Sequence, residues 1–321
     1  MLTNAAGRSP VPEFSDKMAD LAAQRDRCEI LFLGSSRVRR QISPQVFDAS
    51  LREQGLEMPS YNFGLDGMTY PEILYVADEI LAAKPRRLKF VFLELTRFSR
   101  GFGPLAQPDS QRTIHWHTPR YTALLCRAVW DDPENPPLAH RLSVIGGHVE
   151  ILLRRVCNVG RGVELVKNGG KRSEPRMRMG PEGDGFFPVR QAFPKARLAE
   201  YARQLAELPT ILREPATTEP LFAATVLELL RKFQDAGITP VIVTMPRIHP
   251  AAPWVPEPDG SEPRWMVLRF DDPAKTELFD PVLHYDPQHL NAEGAKVFSR
   301  RLAERFAAQL QARAETKGPV L

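Results

Sequence analysis

The chain has 321 residues, of which 43% are hydrophobic and 26% charged, and its formal net charge is +4 at pH 7. This composition is typical of a globular protein with one large domain or one domain carrying an insertion, and it does not indicate a nucleic-acid partner. The three cysteines, Cys28, Cys126 and Cys157, lack the spacing of a metal site, so neither a metal ion nor another cofactor is expected.

The amino-terminal residues 1–26 are interpreted as an extension that precedes the folded domain. Residues 1–13 are polar and contain prolines, without the apolar stretch of a signal peptide. No apolar run in the chain approaches the length of a membrane span. The sequence as it stands therefore predicts a soluble, cytoplasmic protein.

The first predicted strand covers residues 28–33, a short apolar run that ends at Gly34 and is typical of a buried strand in a parallel sheet. Ser35 and Ser36 follow its carboxyl end, where open α/β sheets bind ligands. Taken alone, the Gly-Ser-Ser tripeptide is more typical of an ordinary strand-to-helix turn.

The second predicted strand, residues 58–63, leads into a loop that contains Gly64 and Gly67 before a helix at 71–83. Glycines at such a position let backbone N–H groups approach a ligand closely. An N–H group held there can stabilise an oxyanion. A plain tight turn explains the two glycines equally well.

Further segments continue the alternation of strands and helices. The apolar patterns predict strands at 90–95 and 239–245, and helices at 45–54, 219–236 and 292–313. This order predicts a parallel sheet with helices on its faces, in a three-layer α/β/α sandwich.

Several helix boundaries are marked by residues that cap helices well. Thr69 and Glu72 have the spacing of a capping box. N-terminal caps are expected at Ser43 and Asn291, and C-terminal glycines at Gly55 and Gly237.

The domain scheme follows from the one segment that breaks the pattern. Residues 101–218 carry many prolines and glycines around a single predicted helix at 138–156. We interpret this segment as an inserted cap lying over the carboxyl edge of the sheet. The core domain then consists of residues 27–100 and 219–313, followed by a tail at 314–321.

The strongest chemical signal lies near the C-terminus, where Asp286 and His289 form an Asp-x-x-His pair. A serine is a poor nucleophile until an imidazole takes its proton, and the imidazole needs a carboxylate to fix its tautomer. Ser36, His289 and Asp286 are therefore candidates for nucleophile, base and orienting acid.

Three segments resemble the motifs of the SGNH (GDSL-like) hydrolases. Gly34-Ser35-Ser36 matches the nucleophile element, with Ser35 where the family often has Asp; residues 62–69 match the second element, and residues 285–295 the last. The resemblance implies a flavodoxin-like α/β/α fold, an acyl-Ser36 intermediate, and an oxyanion hole formed by the N–H groups of Ser36 and Gly67. It covers the two ends of the chain and not the middle.

One motif of the family is missing after the third predicted strand. The family has Gly-x-Asn-Asp there, whereas this chain has Thr96-Arg97-Phe98-Ser99. Loss of one oxyanion donor lowers the rate of a well-studied hydrolase roughly 10²–10³-fold. Three outcomes stay open: a slow enzyme, an enzyme that uses Thr96 or Arg97 instead, and an inactive protein.

The divergent motifs resemble a branch of the family that includes alginate-acetylation and D-alanyl-transfer proteins. That resemblance implies a serine esterase or O-acyltransferase whose substrate is a small ester or an acylated carbohydrate, such as an acetylated sugar. It also implies a membrane-bound acyltransferase as partner, and a cell-envelope location if an N-terminal anchor is missing. The alternative is a non-catalytic carbohydrate-binding protein that kept the fold.

Further residues are candidates for the pocket or for other sites. Ser35, Arg37, Asn62, Arg97, Arg247 and His249 are expected to line the pocket, with His249 as a weaker rival to His289 for the base. His115 and His117 lack a nearby third ligand, so a surface or lid position is favoured over a metal site. A further group consists of the basic residues Lys167, Lys171, Arg172, Arg176 and Arg178. For these residues a mobile solvated loop is favoured over a surface that binds an anionic polymer.

Overall fold

The computed structural model describes residues 11–95, 110–132, 134, 136–157, 179–216, 218–248, 253–256 and 265–316. Within these ranges the central element is an all-parallel sheet of five strands in the order β2-β1-β3-β4-β5. Its strands are β1 (Ile30–Gly34), β2 (Ser60–Gly64), β3 (Phe90–Leu93), β4 (Thr239–Thr244) and β5 (Met266–Arg269). A short antiparallel pair follows, made of β6 (His284–Asp286) and β7 (His289–Leu290).

Helices surround this sheet. In chain order they are α1 (Pro12–Ala23), α2 (Ser36–Gln41), α3 (Pro44–Glu53), α4 (Tyr70–Ala82), α5 (Gln111–Trp116), α6 (Pro119–Trp130), α7 (Leu138–Val156), α8 (Leu198–Arg213), α9 (Pro220–Asp235) and α10 (Ala292–Thr316). Short 3₁₀ turns lie at Lys195–Arg197, Pro273–Lys275, Glu277–Phe279 and Pro281–Leu283. No helix of the described part is long and apolar enough to cross a membrane.

Two apolar cores lie on opposite faces of the sheet. Alternate side chains of a strand point to opposite faces, so Ile30 and Phe32 belong to one core while Leu31 and Leu33 belong to the other. The first core is completed by apolar residues of α3 and α10, and the second by residues of α1, α4 and α9. The expected three-layer α/β/α sandwich is therefore confirmed.

The strand register brings three loops to one edge of the sheet. Gly34 at the end of β1 is level with Gly64 at the end of β2, and Leu33 is level with Leu93 at the end of β3. Because the strands are parallel, the residues that follow them meet at the carboxyl edge. The candidate site lies there.

Most of the expected helix caps are present. The Ser43 hydroxyl accepts a hydrogen bond from the Val46 N–H, and the Asn291 side chain accepts from the N–H groups that open α10. Gly55 and Gly237 have φ of +77° and +76° directly after their helices, as C-terminal glycines do. The Thr69 side chain, by contrast, makes no cap hydrogen bond.

Parts of the sequence interpretation were wrong. Residues 1–26 were expected to be an extension, yet α1 lies within them and packs Phe14 and Leu21 into the core. The segment 101–218 was expected to hold one helix, but it holds α5, α6 and α8 as well as α7. Strand β5 was not predicted, because it has only four residues and the last of them is an arginine. The domain boundaries themselves stay a prediction.

Candidate active site

Ser36, His289 and Asp286 come together at the carboxyl edge of the sheet. Ser36 Oγ lies 2.9 Å from His289 Nε2, although 253 positions separate the two residues. The other ring nitrogen, His289 Nδ1, lies 3.0 and 2.9 Å from the two carboxylate oxygens of Asp286. These contacts have the lengths and the order of a nucleophile, a base and an orienting acid.

The sharp turn after β1 places the Ser36 hydroxyl. Ser36 is the first residue of α2 and not a loop residue, and the Ser35 hydroxyl caps that helix by accepting from the Arg37 N–H. A Cβ on Gly34 would approach Val38 Cγ2 to 2.4 Å and Glu94 Cβ to 2.7 Å, so only glycine fits at this turn. The N–H groups of a first helical turn have no intrahelical acceptor, which leaves the Ser36 N–H suited to an oxyanion.

The β6–β7 hairpin places the imidazole. Asp286 pairs with His289 across the hairpin, and the Gln288 N–H donates to Asp286 Oδ1 at 2.7 Å. The Tyr285 ring stacks on the His289 ring with centroids 5.3 Å apart and planes 12° apart, and Arg40 Nη1 donates to Tyr285 Oη at 3.2 Å. The ring is thus fixed on one face and at Nδ1, while Nε2 points to the serine.

The Asp286 carboxyl group is ionised in this setting. Its partial burial raises the pKa, but the hydrogen bonds from the His289 ring and the Gln288 N–H outweigh burial and hold the pKa below its usual value. An ionised carboxylate at Nδ1 keeps the proton on that nitrogen. Nε2 is then free to accept a proton from Ser36.

The loop that carries Gly67 is held by an ion-pair cluster. The Asp66 carboxylate pairs with both Arg39 and Arg40 of α2, and Arg112 of α5 donates to the Asp66 carbonyl oxygen. Burial alone would raise the pKa of Asp66, but the two arginines lower this pKa by more than burial raises it. The net shift is therefore downward. None of these long-range partners was anticipated from the sequence.

Gly67 itself adopts a left-handed backbone conformation. Its φ is +66°, which favours glycine, and a Cβ there would meet nothing within 4 Å. Within the described part of the chain its N–H makes no hydrogen bond. Its role as an oxyanion donor stays a prediction.

Glu94 occupies the end of the third strand, close to where the family motif places its Asn. It is 4% exposed and accepts hydrogen bonds from the Ser35 N–H at 2.8 Å and the Ser35 hydroxyl at 2.7 Å. It also forms an ion pair with Arg37. Burial raises the pKa of Glu94, but Arg37 and the Ser35 donors outweigh it and lower the pKa. Ser35 and Arg37, expected as pocket residues, therefore serve to hold the nucleophile turn. Thr96 and Arg97 lie outside the described residues.

Asn62 has a structural position beneath the site. It is fully buried, and its amide donates to the carbonyl oxygens of Val38 and Ile42 at 2.7 Å each while accepting from the Gly64 N–H. All its hydrogen-bonding groups are used within the chain. The expectation that Asn62 lines the pocket is therefore wrong.

Arg247 does line a recess at this edge, as expected. The recess lies at the ends of β3 and β4 and is lined by Glu94, Leu95, Val243, Met245, Trp254 and Val255 beside Arg247. The next residue, Ile248, accepts a hydrogen bond from Gln288 Nε2 at 3.3 Å, which joins this loop to the Asp-x-x-His turn. His249 lies outside the described residues.

The two histidines of the insertion have no catalytic placement. His115 Nε2 lies 3.0 Å from Tyr75 Oη, while His117 is fully buried, with Nε2 3.3 Å from His148 Nδ1. Burial lowers the pKa of both His117 and His148 to about 4. The expectation of a surface or lid position is therefore wrong for His117, which packs between α5 and α7.

Among the described residues no group of three potential metal ligands occurs. The basic residues of 161–178 lie outside the described residues.

A scan against models of protein families gives no match for this chain, and a search among curated proteins finds no similar sequence.

Proposed function

We propose that this chain is an SGNH-type serine esterase or O-acyltransferase that acts through an acyl-Ser36 intermediate. The observation that supports this proposal is the pair of contacts at His289, with Ser36 Oγ at 2.9 Å on one ring nitrogen and Asp286 at 2.9 Å on the other. This arrangement supports the proposal because an imidazole that takes the hydroxyl proton makes a neutral serine nucleophilic at neutral pH.

The acylation step follows from these contacts. His289 Nε2 takes the proton from Ser36 Oγ as that oxygen attacks the ester carbonyl carbon, and the N–H groups of Ser36 and Gly67 stabilise the negative oxygen that forms. His289 then returns the proton to the leaving alcohol, and the C–O bond to that alcohol breaks. Asp286 stabilises the imidazolium while it exists.

The second step decides between the two activities. Attack of water on the acyl-Ser36 ester gives a carboxylic acid, which is esterase activity, whereas attack of a sugar hydroxyl transfers the acyl group. Both steps use the same residues. An acetylated carbohydrate is the proposed substrate class, and a membrane-bound acyltransferase as the acyl source is proposed on the resemblance alone.

Kinetics with a short-chain aryl ester tests the proposal. We expect Ser36→Ala to abolish release of the phenol, because the nucleophile is absent. Ser35→Ala is the matched control: it removes the neighbouring hydroxyl but keeps the N–H bond to Glu94, and we expect it to retain at least a tenth of the activity. Equal activity of the wild type and Ser36→Ala would contradict the proposal and favour a carbohydrate-binding protein.

A further inference from the structure

Arg247 carries a charge that the described part of the chain does not pair. It follows β4 in the recess beside Glu94, and it is only partly exposed. Within the described residues it makes no hydrogen bond and no ion pair of its own. Arginine has five N–H donors, so this is a large unused capacity for binding.

The two described carboxylates whose charge acts on Arg247, Glu94 and Asp271, already have other partners. Glu94 pairs with Arg37 and also accepts from Ser35, while Asp271 lies 3.6 Å from Arg269 and accepts from the Thr244 hydroxyl at 2.8 Å. Since each of these carboxylates already faces another arginine, Arg247 is a positive charge without a carboxylate of its own among the described residues.

A buried or half-buried charge that the described residues leave without a partner is energetically unfavourable. Burial, followed by repulsion from Arg37, lowers the pKa of Arg247 to about 10, so the group is still charged at neutral pH. A partly desolvated ion without a hydrogen-bonded partner destabilises a fold, whereas an anion that arrives in the recess would remove that destabilisation.

The recess is close to both halves of the triad. Glu94 in its wall bonds to Ser35, the neighbour of the nucleophile, and Ile248 next to Arg247 bonds to Gln288, the neighbour of the base. The remaining walls include Val243, Met245 and Trp254, which are apolar. Among the described residues, a substrate group that enters here would meet this apolar surface, the Arg247 cation and the Glu94 carboxylate, which is already paired with Arg37.

We propose that Arg247 binds a carboxylate carried by the ester substrate, so that the enzyme prefers anionic esters to neutral ones. This inference rests on the proposed function, because it assigns the substrate class of the same site. Arg247 acts in substrate binding and does not take part in proton transfer.

Two matched pairs of esters test the proposal and locate the carboxylate. Mono-4-nitrophenyl succinate and its methyl ester differ in a charge on the acyl part, and 4-acetoxybenzoate and its methyl ester differ in a charge on the alcohol part. We expect Arg247→Met to lower kcat/KM for the charged member of one pair on the order of 10- to 100-fold, as for loss of a charge-assisted hydrogen bond. The neutral member should change by less than about 2-fold on the same grounds.

Arg301→Met is the control variant, since Arg301 of α10 is half exposed and pairs with Glu277 and Glu304 outside the recess. It should leave both members of each pair unchanged. A uniform loss on charged and neutral esters in Arg247→Met, or no loss on either, would overturn the proposal.

A binding measurement separates this proposal from the proposed function. Calorimetric titration of Ser36→Ala with succinate and with benzoate needs no catalysis. If one of the two anions binds at least 10-fold more weakly to Ser36→Ala/Arg247→Met than to Ser36→Ala, the anion site is supported. This holds even if the wild type hydrolyses no ester. Equal binding to both variants, or binding to neither, would contradict the anion site even if the esterase activity were present.

Discussion

The carboxylate of Glu94 holds the turn that presents Ser36, so Glu94→Gln should destabilise the protein and loosen the nucleophile. Glu94 is 4% exposed, and its partner Arg37 has a side chain that is 11% exposed. Glutamine keeps one oxygen for the Ser35 donors, but it removes the negative charge opposite Arg37. The guanidinium then stays buried without a counter-ion.

The expected size of the effect follows from these contacts. Removal of one member of a buried ion pair destabilises a protein by about 3–5 kcal/mol, and a charge-assisted hydrogen bond contributes about 1.5–3 kcal/mol. Because the amide retains part of the bonding, we expect a loss of about 2–4 kcal/mol in the free energy of unfolding. Glu29→Gln is the control: Glu29 is equally buried, but Arg87 and Lys89 are more than half exposed, so a loss of about 1 kcal/mol or less is expected.

Urea unfolding of the wild type, Glu94→Gln, Arg37→Met and the double variant measures the effect. The double variant should be more stable than the sum of the single losses predicts. The folded-state pKa of Glu94 lies below the ordinary value of 4.5. The wild-type advantage should therefore be complete above pH 4.5 and decline as the pH falls through the folded-state pKa. Additive losses, or a loss no larger than that of Glu29→Gln, would refute the reasoning.

Three further predictions concern other parts of the molecule, beginning with Lys17 of α1. Burial lowers the pKa of Lys17 from 10.5 to about 7. Between these two pH values Lys17 therefore holds a proton in the unfolded chain that it has lost in the folded chain. The free energy of unfolding of the wild type relative to Lys17→Met should therefore rise from pH 7 to 9, by at most about 1.4 kcal/mol per pH unit; a flat difference in urea titrations would contradict this. Arg112→Met removes the bond to the loop that carries Gly67, and we expect kcat for an aryl ester to fall on the order of 10-fold with KM little changed; an unchanged kcat would oppose a role for that loop. Asp286→Asn should lower kcat by about 10²–10⁴-fold, yet less than His289→Ala does, since the base remains; the reverse order in steady-state assays would argue against the assigned roles.

The sheet and the contact of Ser36, His289 and Asp286 could be predicted because much of their signal is local. The first strand is a short apolar run that ends at a glycine, the second also ends at a glycine, and Asp286 and His289 lie three positions apart. Local patterns of this kind determine strand order poorly, but they show which residues follow a strand. The order of the motifs and their resemblance to those of the SGNH hydrolases supplied the expectation that His289 meets Ser36 at one edge.

The supporting contacts could not be predicted, because they join residues far apart in the chain. Lys17 of α1 is fully buried and donates to carbonyl oxygens of Asn62, Gly64 and Gly185, at distances of 2.8–3.0 Å. A lysine in an amphipathic N-terminal segment looks like a surface residue in the sequence. The partners that make its burial possible are 45 to 168 positions away.

Glu94 illustrates the same limit inside the site. A glutamate at the end of an apolar strand gives no sign of its partners, so the sequence predicts an effect only from the missing Asn that would follow it. The structure shows that this carboxylate pairs with Arg37 and bonds to Ser35. The turn that carries the nucleophile is therefore fixed from the third strand as well as from the first.

Covalent labelling with a fluorophosphonate tests the central claim most directly, because only an activated serine reacts with this reagent. We expect one adduct per chain in the intact-protein mass spectrum, located at Ser36 by peptide mapping, absent from Ser36→Ala and strongly slowed in His289→Ala. An unlabelled wild-type protein, an adduct on another serine, or equal labelling of His289→Ala would contradict the assignment of Ser36 and His289 as nucleophile and base.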